Sequence, residues 1–201
     1  MAGRVIIFGM GDQSRYCEEI LRLNGYPNIV KALWPNGLVI TDNDLGIVAI
    51  GDNWSRSKVV NAILEKHPDF KFVNAIHPSC IVSDEHLFGS GILAMAGCIF
   101  NCGAIVKSHT FFATGAQIEH DCVIEDFASV SAGSVLGGHV TIGQYSAVTL
   151  GCTVFDRITI GSNSVIGSGS LVTKDVPSNG LYYGNPAKFI RFRNEGEKFL
   201  K

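Results

Sequence analysis

The chain has 201 residues, 46% of them hydrophobic and 17% charged, with a formal net charge of -2. That length allows one large or two modest domains, and the near-neutral balance leaves no basic footprint for nucleic acid or an anionic membrane. No apolar run approaches a membrane span, and Val5 to Phe8 is too short to be a secretory leader, so a cytoplasmic protein with reduced thiols is expected.

Residues 1–75 read as a small α/β unit, with a Rossmann-like alternation of strand, turn and helix around a parallel sheet. Arg4 to Phe8 is a short buried strand, followed by the turn Gly9-Met10-Gly11 and a helix over Asp12 to Asn24. Ile20, Leu21 and Leu23 make the apolar face of that helix, and Asp12 or Ser14 is its candidate cap. Gly37 to Asp44 reads as a loop or irregular edge. A second strand over about Gly46 to Ile50 leads through Gly51-Asp52-Asn53 into a helix over Ser55 to His67, with Val59, Val60, Ile63 and Leu64 inward. Phe72 to Ile76 then reads as a strand that leads out of the unit. A Gly-x-Gly turn at a strand-to-helix junction can set backbone N–H groups and a helix dipole against an anion, although such turns also simply close a βα unit.

From residue 76 a six-residue repeat takes over. Phe100, Val106, Phe112, Ile118, Ile124, Val130, Leu136, Ile142, Val148, Val154, Ile160, Ile166 and Val172 are evenly spaced, and a mostly small residue follows each by four. Hexapeptide periodicity is the signature of a parallel β-helix, three hexads making one 18-residue coil. Gly103, Gly115, Gly133, Asn163 and Gly169 fall where the coil turns its corners, and such residues tolerate positive φ. Cys80, Cys98, Cys122 and Cys152 occupy the small interior position, where free Cys packs as a small hydrophobe. The repeat fails after Val172; Gly184 to Lys188 is a turn, and Phe189 to Lys201 is a tail, with a short helix capping the last coil as one form of it.

A β-helix is a scaffold, so chemistry must be sought at a site. His120, two residues after Ile118, sits at a corner, and counting one coil onward lands on Gly138. An outward histidine beneath a residue with no side chain, whose N–H can face a carbonyl, pairs a general base with an oxyanion donor. Asp121 is placed to orient the imidazole. The competing reading is a turn histidine with a purely structural role. His109 and His139 are also corner residues, expected to be solvated or at a subunit contact. No H-x-x-x-x-H spacing supports zinc, and no metal is expected.

The hexads, the segment Ile118-Glu119-His120-Asp121-Cys122-Val123-Ile124, the turn Gly184-Asn185-Pro186-Ala187-Lys188 and the N-terminal α/β unit together resemble one family along essentially the whole chain. It is the left-handed β-helix sugar acetyltransferases of the NeuD/PglD type. The resemblance implies two units, residues 1–75 binding a sugar nucleotide and residues 76–201 forming a left-handed parallel β-helix acyltransferase with a C-terminal cap. It implies His120 as base, Asp121 beside it and Gly138 as the amide that holds the acetyl oxygen. Acetyl-CoA is the implied cosubstrate, near Ser129, Gly138, Leu150, Ser168, Asn185, Pro186 and Lys188, and the implied assembly is a homotrimer. The sugar nucleotide would meet Gly9, Met10, Gly11, Gln13, Gly51, Asp52 and Asn53.

This chain departs from the family pattern in four places. Gln13 stands where the family turn carries a histidine, Leu33-Trp34-Pro35-Asn36 where it has an acidic pair, Ala113 for an asparagine and Ser129 for a cofactor-facing histidine. The expected reaction is N-acetylation of a nucleotide-linked amino deoxysugar for surface-polysaccharide synthesis. O-acetylation of a sugar hydroxyl, sialic acid included, and a non-catalytic β-helix binding or assembly subunit are the alternatives.

Overall fold

The computed structural model of the chain describes residues 3–35 and 37–200. Asn36, in the segment that replaces the acidic pair, and Lys201, last of the expected tail, lie outside the described residues.

A parallel four-stranded sheet in the order β2-β1-β3-β4 opens the chain, built from β1 (Val5–Phe8), α1 (Asp12–Leu23), β2 (Ile29–Ala32), β3 (Leu45–Val48), α2 (Asn53–Lys66) and β4 (Lys71–Phe72). β1 pairs with both β2 and β3 and is wholly buried, which is why it reads as an unbroken apolar run. The edge strand β2, half-exposed and carrying a lysine, shows no such run and is not among the sequence expectations. α1 buries Cys17, Ile20 and Leu21, whereas Leu23 turns out to solvent. Neither Asp12 nor Ser14 caps it: Gly11 is the cap residue, and the Ser14 hydroxyl donates instead to the Gly11 carbonyl at 2.6 Å. α2 begins at Asn53, because the Asp52 carboxylate accepts the Ser55 N–H at 2.8 Å.

Beyond Ala75 the chain winds into a β-solenoid. Its three sheets hold five, eight and six strands, parallel throughout except for the last pair of the eight. Partners lie one coil apart, as in Gln117↔Val135 and Ile118↔Leu136. Phe100, Phe112, Ile118, Ile124, Leu136 and their hexad equivalents fill the interior with Cys98, Cys122 and Cys152 between them. All six cysteines are free.

Corners recur every 18 residues in the left-handed backbone region, and each corner has its own chemistry. One runs Gly97, Gly115, Gly133, Gly151 and Gly169; a second Gly91, His109, Phe127, Tyr145 and Asn163; a third Gly103, Asp121, His139 and Arg157. Non-glycine residues are uncommon at such φ values, so the parallel hydrogen bonds between coils must hold them there.

The eight-stranded face carries the N-terminal sheet and helices. Its outward residues Ala75, Leu93 and Phe111 pack with Val5, Ile7, Cys17 and Ile20. The aromatic corner is covered as well: Phe72 meets His109 edge-on at 4.7 Å, and His109, Phe127, Tyr145 and Trp54 stack in sequence with centroid separations of 5.2, 5.4 and 4.1 Å. Arg56 on α2 is fully buried against this column. Its guanidinium donates to the carbonyls of Ile50, Gly51, His109 and Phe127 and to Asn53 Oδ1, with no carboxylate among them. Burial lowers its pKa to about 9. His109 is therefore not solvated as expected; burial depresses its pKa to about 4.

After the repeat ends, Gly180–Tyr183 extends the eight-stranded face, and Lys188–Phe192 returns antiparallel to it where a short helix was one expectation. Phe189, Ile190 and Phe192 favour the extended form. The tail then runs to the N-terminal sheet, where the Phe199 N–H donates to Asp52 Oδ2 at 3.1 Å.

Candidate active site

The third corner carries the cluster that the sequence points to. The strand Gln117–Ile118 ends with Ile118 inward, so Glu119, His120 and Asp121 are thrown out onto the turn, and Asp121 takes φ 57. Glu119 accepts from Asn101 Nδ2 at 2.8 Å, and the Asp121 N–H donates to the Cys102 carbonyl at 2.9 Å, tying the turn to the preceding coil. The His120 carbonyl accepts the His139 N–H at 2.9 Å, tying it to the next.

Within this frame His120 Nδ1 lies 2.9 Å from Asp121 Oδ2. That hydrogen bond holds the Asp121 carboxyl below the usual range, with His139 and Arg157 adding in the same direction. The other ring nitrogen faces Gly138: a Cβ there would come within 2.5 Å of His120 Nε2. Any larger residue would push the imidazole off its seat. His139 Nε2 stands 3.7 Å from Asp121 Oδ2, with its ring edge-on to His120 at 5.1 Å. All three side chains are exposed.

The Gly138 amide is not free to face a carbonyl as expected. It donates to Asp156 Oδ1 at 3.1 Å, the same one-coil tie that joins Ser108 N–H to Asp126. What Gly138 supplies in this structure is the missing side chain.

The remaining expected residues divide. Leu150 and Ser168 are exposed beside the all-glycine corner, where a Cβ on Gly151 or Gly169 would meet nothing within 4 Å. Asn185, Pro186 and Lys188 are also exposed, and Pro186 and Lys188 border a cavity of about 300 Å³ with Lys174 and Tyr182. Ser129 does not fit. It is 1% exposed on the face that carries the N-terminal sheet, and its hydroxyl has no partner among the described residues.

In the N-terminal sheet, Gly9 has φ 147 and approaches Ala49 so closely that a Cβ would lie 2.7 Å from the Ala49 carbonyl oxygen. Met10 and Gly11 are exposed and Gln13 is half-buried. Gly51 is roofed by Gln13 and Leu200, which would lie 2.9 and 3.0 Å from its Cβ. Asp52 spends one oxygen on Ser55 and the other on Phe199. Asn53 is fully buried, bonded to Tyr145, Ser146 and Arg56. These two side chains, expected to touch substrate, are structural ties.

No family model matches the chain. Solved structures do. PerB from Caulobacter crescentus, in complex with CoA and GDP-perosamine, is 32% identical over 95% of this chain and 99% of that one, with a TM-score of 0.85. A GDP-perosamine N-acetyl transferase mutant from the same organism, also in complex with CoA and GDP-perosamine, is 29% identical over 95% and 98%, with a TM-score of 0.84. The acetyltransferase domain of PglB from Neisseria gonorrhoeae, in complex with acetyl coenzyme A, is 26% identical over 94% and 100%, with a TM-score of 0.86. The chain spans 25% and 53% of the length of two of the curated transferases it matches. Fold and relatives together define a hexapeptide-repeat acyltransferase. Within that class the chain belongs to the left-handed β-helix sugar acetyltransferases. Among the described residues, no helix is long and apolar enough to cross a membrane.

Proposed function

We propose that this chain transfers the acetyl group of acetyl-CoA to the amino group of a nucleotide-linked amino deoxysugar, in cytoplasmic synthesis of a surface glycan. The observation that carries the reading is the His120–Asp121 pair, 2.9 Å apart, with Nε2 turned toward the bare Cα of Gly138. Asp121 accepts a hydrogen bond from Nδ1–H, and its ionised form stabilises the imidazolium that follows. His120 Nε2 then takes the proton from the attacking amine. The thioester of acetyl-CoA supplies the electrophilic carbonyl when bound. Leu150, Ser168, Asn185, Pro186 and Lys188 are the residues proposed to hold that cosubstrate.

Residues 1–75 form the proposed sugar-nucleotide unit, with Gly9, Met10, Gly11 and Gln13 lining the crevice at the carboxyl ends of β1 and β3. Doubly wound sheets bind ligands at this point. Residues 76–201 form the proposed acyltransferase unit, assembled as a homotrimer. PerB was solved with CoA and GDP-perosamine and the PglB domain with acetyl coenzyme A, which supports both ligand classes.

The test is thiol release from acetyl-CoA across GDP-, UDP- and dTDP-linked amino sugars. His120→Ala should cut kcat by roughly 10²–10⁴-fold with an unchanged melting temperature. Full turnover in that variant would refute the assignment.

A further inference from the structure

The third corner offers more than a base. Besides the 2.9 Å His120–Asp121 pair, it brings His139 Nε2 to 3.7 Å from the same Asp121 oxygen, and one donor atom from each residue lies within 4.8 Å of the other two. Tetrahedral zinc with bonds of about 2.0–2.1 Å sets its ligand atoms roughly 3.3 Å apart, so the two shorter separations bracket the required value. The backbone is already in place. Asp121 and His139 share the same left-handed corner position on successive coils, at φ 57 and 58, and both amides are bonded across coils. Two imidazoles and one carboxylate suit zinc, cobalt, nickel or copper rather than magnesium or calcium.

We infer that His120, Asp121 and His139 form a binding site for a divalent cation of the zinc class, and that its occupancy switches off acetyl transfer. A cation bound at His120 Nδ1 displaces the Asp121 hydrogen bond and fixes the ring proton on Nε2. That nitrogen faces Gly138 and has then no lone pair with which to take a proton from an amine. His139 is what makes the pair a three-donor set. Arg157, one coil beyond His139 at the same corner, opposes a cation electrostatically, while Glu119 and Asp156 on the flanking turns favour it. The inhibition rests on His120 being the base; the binding does not.

The experiment titrates chelator-treated full chain with Co²⁺ and then Zn²⁺, reading the visible d–d absorption of cobalt and, separately, thiol release. Wild-type protein should develop a tetrahedral cobalt spectrum that zinc displaces, and zinc should inhibit turnover over the same concentration range. His139→Asn keeps a residue that tolerates positive φ, and a thermal melt confirms its folding. Measured against its own metal-free rate, it should lose cobalt affinity and zinc inhibition by about tenfold or more. An absent tetrahedral spectrum, or equal cobalt affinity in the variant, would overturn the site. Cobalt binding that depends on His139 but leaves turnover untouched would overturn the switch and count against His120 as base. If no amino sugar is acetylated, the activity reading fails while the cobalt spectrum still decides the site.

Discussion

Two corners of the solenoid share one backbone and differ in everything else. His109, Phe127 and Tyr145 take the same left-handed φ as Asp121, His139 and Arg157, within a few degrees. The first set is stacked beneath α2, and the two rings nearest its start, His109 and Phe127, are more than nine-tenths buried; the second stands out in solvent. The coil therefore dictates an angle and leaves the side chain open. What packs on a corner then decides whether it becomes core or chemistry. Burial under α2 disfavours the charged form of a histidine, whereas a histidine at the open corner keeps a carboxylate partner.

Three perturbations separate the two corners. The largest effect is expected at Arg56. Arg56→Leu strips the donor from buried carbonyls at Ile50, Gly51, His109 and Phe127, and unsatisfied buried acceptors cost about 1–3 kcal/mol each. A loss of at least about 3 kcal/mol by urea denaturation is expected, and a midpoint unchanged from wild type would mean that α2 is held by stacking alone.

His109 comes next. Its folded pKa of about 4 lies below the ordinary 6.5 because burial disfavours the imidazolium. The unfolded chain therefore takes up the proton first as pH falls. Stability is fully present above pH 6.5 and is lost between there and about 4, by up to about 3 kcal/mol. His109→Phe, which copies the Phe127 one coil on, should flatten that part of the stability profile. If the variant keeps the wild-type slope, the proton is going elsewhere.

Gly138→Ala works on the open corner and has the smallest energetic effect of the three. The three atoms nearest its Cβ all belong to the His120 ring, so the melting temperature should hold while kcat falls roughly a hundredfold through displacement of the imidazole. A variant that melts early but turns over normally would reverse the contrast drawn between the corners.

The solenoid was legible because its period is rigid. Eighteen residues from His120 is Gly138, and the strand register makes that arithmetic physical. The same count carries His109 to Phe127 and Tyr145, an aromatic series that marks a covered corner, so the repeat itself argues against a solvated His109. The face that carries the N-terminal sheet is not marked in the pattern. Its outward strand positions run Ala75, Leu93, Phe111, Ser129, Ala147 and Val165, but the other faces offer Ile81, Ile99 and Val135, or Leu87, Ile105 and Val123, at the same register. Nothing local therefore assigns Ser129 to a covered face. Other features left no local mark. Arg56 looks like any helical arginine until α2 is laid on the corner, and a carboxylate such as Asp156 shows its claim on the Gly138 amide only once the coils are stacked. The strand at Lys188–Phe192 lacks a hexad because it pairs antiparallel and stands outside the winding.

Asp52 joins the two ends of the chain. With one oxygen it starts α2, and with the other it fastens an amide 147 residues away. The polypeptide is thereby buckled into a ring: it leaves the N-terminal sheet, climbs the coils, descends along Lys188–Phe192 and is clipped back beside its point of departure. Leu200 lies beside Gly51, next to that clip. The cap of α2 and the tether of the tail are therefore one side chain.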